Sequence, residues 1–173
     1  MIKRVALLLG VLCATILAGC GADDGAAVSA SASASGAPSE DCKVVDGVNA
    51  TRDAEVHVDL AEYSISLDTQ SVAAGNIEFH TTNKGKEPHE LVIIRGAKPM
   101  ELTIGAKGLD EAKLPAGAEV LGEIEPFVGN GGVCSGVFTL AAGDYTLLCN
   151  VVETSGEKHA HAHEGMVTTF SVT

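Results

Sequence analysis

Apolar and polar residues alternate along much of this chain with a period of two, the signature of half-buried β-strands rather than helices. EVHVDL (55–60), YSISL (63–67) and NIEFHTT (76–82) read this way. HELVII (89–94) is apolar enough for a strand buried on both faces. SGVFTL (135–140), DYTLLC (144–149) and MVTTFSV (166–172) complete the set, with turns at AAGN (73–76) and AAGD (141–144). About seven to eight short strands with glycine-rich turns predict an all-β sandwich or barrel. Residues 96–117 fit the period poorly and predict a short helix or an irregular excursion. No internal repeat is present.

The N-terminus changes the domain picture. Lys3 and Arg4 precede an apolar run over 5–18, too short for a comfortable membrane span, which ends in LAGC (17–20). That ending resembles the bacterial lipobox, which implies removal of residues 1–19 and lipidation of Cys20. Residues 20–41 are then a lipidated cysteine and an Ala/Ser/Gly-rich disordered tether with nothing to bury. The folded domain is expected over 42–173. The expected location is outside the cytoplasm, held to the cell membrane by the lipid.

Charge narrows the function classes. The chain carries 11 basic and 23 acidic residues, a net charge of −12, and loss of Lys3 and Arg4 makes it more acidic still. Nucleic acid is excluded as a partner, because its phosphates demand a basic footprint. The charge suits a soluble surface that attracts cationic partners or metal ions. With no Trp, two Tyr and four Phe, the core must be mainly aliphatic. There is no GxSxG, HExxH or phosphate-cradling loop, so an enzyme is not expected. Of five cysteines, Cys13 lies in the leader and Cys20 would carry lipid. Cys42, Cys134 and Cys149 remain, which in an oxidising compartment predicts one disulfide and one thiol with a separate task.

Two segments carry candidate chemistry. In TNKGKEPHELVII (82–94), Asn83, Gly85 and Pro88 shape a loop that delivers His89 to the start of a strand. In DYTLLCNVVETSGEKHAHAHEGM (144–166), a strand ends on Cys149, and His159, His161, His163 and Met166 follow. A thiolate, two imidazoles and a thioether on adjacent loop ends are the donor set of mononuclear electron-transfer copper. His57 and His80 sit in strand patterns without partners and are read as structural.

These two segments resemble those of the cupredoxins, the plastocyanin-like small blue copper proteins, and the likeness extends over roughly 55–173. Asn83 to His89 matches the turn before the family's first copper histidine, and Gly143 to Cys149 matches its cysteine strand. Gly165 and Met166 match the axial methionine that opens the last strand. The family's spacing places the second histidine five residues before that methionine, at His161. The resemblance implies a Greek-key β-sandwich and one copper ion held by His89, Cys149, His161 and Met166. With Cys149 assigned to metal, Cys42 and Cys134 are left for the disulfide. Two departures stand out: eleven residues lie between Cys149 and His161 where the family has a few, and Glu90 stands where plastocyanins often have Asn. Three functions follow as expectations. These are a monomeric one-electron carrier with a redox protein partner, a copper-capture and delivery protein using the His-rich loop, and a metal-free interaction module.

Overall fold

Val56, Val58 and Leu60 point into the core while His57 and Asp59 between them stay partly exposed, as the period of two requires. The computed structural model describes residues 37–154, 156 and 158–173. The expectations for the leader, Cys20 and most of the tether lie outside the described residues. Twelve strand segments are described: β1 (Val44–Val45), β2 (Ala54–Ala61), β3 (Ser64–Leu67), β4 (Ser71–Val72), β5 (Gly75–Asn83) and β6 (His89–Arg95) in the first half. The second half adds β7 (Ile104–Gly105), β8 (Gly108–Leu109), β9 (Glu119–Phe127), β10 (Gly132–Leu140), β11 (Gly143–Leu148) and β12 (Val167–Val172). Among the described residues, no helix is long and apolar enough to cross a membrane.

The strands form a sandwich. One sheet has the order β1-β9-β6-β11-β12-β4, and the other β10-β5-β2-β3. Their facing sides enclose a core of Val56, Leu60, Phe79, Leu91, Ile93, Ile124, Phe138, Leu147 and Phe170. Full burial of side chains of this size contributes about 1.5–3 kcal/mol each. Each strand predicted from alternation is found, within a few residues at its ends.

Apart from the two-residue segments β1, β4, β7 and β8, β9 is the strand that alternation does not predict. It carries Glu119, Glu123, Glu125, Gly122 and Pro126, residues that depress strand propensity. It forms because it is sandwiched between β1 and β6, where Gly122, Ile124 and Phe127 are buried. Residues 96–117 are the irregular excursion of the two alternatives, with short 3-10 turns at Pro99–Glu101 and Glu111–Lys113 and the small β7–β8 pair. The excursion covers the outer face of β6. Val92 and Ile94 pack there with Ala97, Leu148 and Ala162, against Leu102, Ile104, Leu109 and Ala118. That cover explains why β6 is apolar on both faces.

Cys42 and Cys134 form a disulfide with Cα atoms 5.1 Å apart, and Cys149 is free and buried. The bridge ties the segment before β1 to β10. Ordered contacts begin before Cys42: the Ser39 N–H donates to the Val133 carbonyl at 2.7 Å, and Asp41 accepts from the Val128 N–H at 2.8 Å.

Candidate metal centre

Strand direction brings the candidate residues to one end of the sandwich. β11 is antiparallel to both β6 and β12, with Leu148 opposite Val92 and Val167. The end of β11 therefore lies beside the starts of its two neighbours. Cys149 follows β11, His89 opens β6 and Met166 precedes β12, so three of the four candidates converge by topology alone. The Cys149 N–H donates to the Met166 carbonyl at 3.1 Å, which fixes those two positions against each other.

His161 arrives by a different route. Val152 and Ala160 pair in an isolated antiparallel bridge, and the His161 N–H donates to the Val151 carbonyl at 2.8 Å. Residues 160–166 then coil tightly, and the Met166 N–H returns to the His161 carbonyl at 3.0 Å. Gly165, at φ 105°, supplies the left-handed step this turn needs. The excursion braces the loop from outside, with Ala160 N–H donating to Ala106 at 3.0 Å and Leu109 N–H to the Asn150 side chain at 2.6 Å.

The result is a buried triangle of donors. His89 Nδ1 lies 2.9 Å from His161 Nδ1, and Cys149 Sγ lies 3.7 Å and 3.4 Å from them. All three residues and Met166 are fully buried. A point equidistant from the three donor atoms stands about 2 Å from each, close to the bond length an imidazole makes to a borderline divalent ion. Two imidazole lone pairs and a sulfur facing one another without a cation or a proton between them repel. The donor set therefore fits a mononuclear copper ion, with soft sulfur and two nitrogens in a trigonal arrangement.

The surroundings set the protonation states. Burial pushes the Cys149 thiol up to about 12, against the opposing pull of the Glu90 and Val151 N–H groups, so a bound ion must displace a proton from it. Burial, then the neighbouring His161, lowers the pKa of His89 and favours its neutral, ligating form. Glu90 ties the cysteine loop to β6: its carboxylate accepts the Asn150 N–H at 2.7 Å, and its own N–H points at Cys149 Sγ at 3.5 Å. Burial and Glu123 raise its pKa to about 7.

Behind the triangle is a ring of groups that sequence reading did not select. His89 Nε2 faces Glu62 Oε1 at 3.5 Å, and His161 Nε2 faces Glu87 Oε2 at 3.4 Å. Neither contact has the geometry of a hydrogen bond, and both buried nitrogens are left without a hydrogen-bond partner, facing only these carboxylates. Burial raises the Glu62 pKa, but the N–H groups of Glu87, Glu62 and Lys86 outweigh it and hold the carboxyl at about 2. Tyr63 packs edge-on to His161 and hydrogen-bonds Glu153, which pushes the phenol up to about 12. No sequence signal identifies these residues, because strand pairing and loop closure bring them to the site.

The other histidines are elsewhere. His159 bonds Glu164 at 2.9 Å on the surface, with exposed His163 beside it. His57 and His80 pack edge to face on the four-stranded sheet, and His80 bonds Ser135 at 2.9 Å. Glu55, Glu78 and His80 form a second cluster of possible ligands, but the Arg52 guanidinium already pairs with both carboxylates, at 3.0 Å and 2.5 Å.

No protein-family model matches the chain, and no curated protein sequence matches it. Solved structures do. Auracyanin B is similar over 73% of this chain and 94% of its own, at 20% identity and a TM-score of 0.51. Auracyanin A of Chloroflexus aurantiacus, described as a blue copper protein, is 16% identical over 69% of this chain and 98% of its own, with a TM-score of 0.42. Rusticyanin of Thiobacillus ferrooxidans is 16% identical over 75% and 87%, with a TM-score of 0.38. The auracyanin B likeness is one of fold. The chain has the cupredoxin fold that its two site motifs implied.

Proposed function

We propose that this protein is an exported, lipid-anchored copper protein that carries single electrons outside the cytoplasm. The observation that carries the reading is the buried triangle of His89 Nδ1, Cys149 Sγ and His161 Nδ1, with no edge above 3.7 Å. Copper bound there supplies one-electron chemistry between its monovalent and divalent states. The chain's part is to hold the donors still. Cys149 contributes a thiolate once its proton is displaced, and His89 and His161 contribute Nδ1. Met166, fully buried and bonded through its backbone to Cys149 and His161, would offer its thioether as a further soft donor. Burial keeps water from the donors, so little rearrangement is required when the charge at the site changes.

A capture-and-delivery role would draw on the His-rich loop. The bridge at Val152–Ala160 and the closed turn before Met166 favour the carrier instead, because they tie His161 and Met166 down where a delivery protein would need to open. Lipidation at Cys20 would keep the carrier near membrane redox partners. The test is to add Cu(II) to the purified protein and record the visible spectrum. An intense thiolate-to-copper band, absent from Cys149→Ala, is the expected result. Copper bound equally well and without colour by both proteins would refute the reading.

A further inference from the structure

The inference rests on the copper reading above and concerns the far side of the two imidazoles. We propose that Glu62 and Glu87 are positioning residues that hold His89 and His161 in the Nε2–H tautomer and bias the site toward the divalent ion. Each buried Nε2 meets a carboxylate oxygen, at 3.5 Å for Glu62 and 3.4 Å for Glu87. A lone pair on Nε2 would be repelled by that oxygen, and an N–H is attracted. The proton therefore belongs on Nε2, and the Nδ1 lone pair is left to face the ion. Carboxylate–histidine–metal relays of this kind orient the ring and raise its basicity.

The pairing is built into the loop rather than incidental to it. Glu62 Oε1 is held by the Lys86 and Glu87 N–H groups, at 2.5 Å and 2.9 Å. Gly85 makes room: a Cβ there would stand 2.6 Å from Glu62 Oε1 and 2.7 Å from His89 Nε2. On the other ring, Glu87, Glu153 and His161 offer donor atoms all within 4.8 Å of one another.

Charge gives this arrangement a consequence. Two neutral imidazoles and one thiolate carry a single negative charge, which a monovalent ion cancels and a divalent ion exceeds. In a buried site that excess is poorly screened, so carboxylates one ring away favour the divalent state over the monovalent one. The same four ligands without Glu62 and Glu87 would have a higher midpoint potential.

The test uses Glu62→Gln and Glu87→Gln in the full-length protein in detergent, with Cu(I) and Cu(II) affinities from competition titration and the midpoint potential by voltammetry. Gln keeps an acceptor oxygen for the Lys86 and Glu87 amides while removing the charge. Each variant should lose about tenfold more affinity for Cu(II) than for Cu(I), which raises the midpoint potential by about 59 mV. Glu164→Gln removes the same charge from an exposed position on the His161 loop and should leave the ratio unchanged. Should Glu62→Gln fail to fold, Glu87→Gln decides alone, since the Glu87 carboxylate accepts no backbone N–H among the described residues. Equal losses for both ions, no loss for either, or the same shift in Glu164→Gln would overturn the inference while leaving the copper reading intact. A wild-type protein that binds neither ion would overturn both.

Discussion

Asn83 should hold the loop that presents His89. Its side chain is fully buried, and its Nδ2 donates to the Glu87 carbonyl at 2.8 Å and the Phe127 carbonyl at 3.1 Å. Its Oδ1 accepts the Gly85 N–H at 3.1 Å. Asn83→Ala leaves the buried Phe127 carbonyl and the part-buried Glu87 carbonyl without this donor, while Gly85 N–H keeps a second acceptor in the Leu60 carbonyl at 3.2 Å. At roughly 1–1.5 kcal/mol for each lost bond, and less for the shared one, the cost is about 3 kcal/mol. Against a typical total of about 5–15 kcal/mol, that is a large fraction. Urea denaturation of the metal-free protein measures it, as a shift in midpoint at constant slope. Asn83→Asp is the sharper variant, because it sets a carboxylate oxygen against the same two carbonyls and should cost at least as much as Ala. Copper affinity should fall in both, since the loop also carries the amides that hold Glu62. A loss below about 1 kcal/mol in either variant, with copper affinity unchanged, would refute this account of the loop.

Replacing Cys42 and Cys134 together by Ala should lower stability by about 4–5 kcal/mol, the chain-entropy value for a bridge spanning 92 residues, and leave the copper spectrum unchanged; a loss under about 1 kcal/mol in chemical denaturation would contradict that model. His161→Ala should remove or strongly shift the visible copper band, whereas His159→Ala and His163→Ala, altered on the loop surface, should match the wild type; the reverse pattern would reassign the second histidine. Cys20→Ala should abolish incorporation of a labelled fatty acid in cells and release the protein from membranes, and persistent labelling would rule out the lipobox.

How much of this was legible in the sequence follows from what is local and what is not. Alternation marked β2, β5, β10, β11 and β12, because side-chain direction along a strand depends only on position in that strand. For the same reason the ends of β6 and β11 could be read as places where His89 and Cys149 stand, and the family spacing pointed to His161 across its long loop. β9 was hidden because its glutamates, glycine and proline obscure a pattern that only pairing with β1 and β6 reveals. The part played by residues 96–117 was equally hidden: their sparse apolar residues mean little until they are laid over Val92 and Ile94. Glu62, Glu87 and Glu153 read as ordinary surface charges in one dimension. They reach the histidines because two strands, one tight loop and one folded-back loop close at the same end of the sandwich. Sequence by itself determined which side chains each strand end presents, a matter of period and chemistry. Which of them face one another, at what distance and with water excluded, was decided by strand register and loop closure, since these depend on residues far apart along the chain.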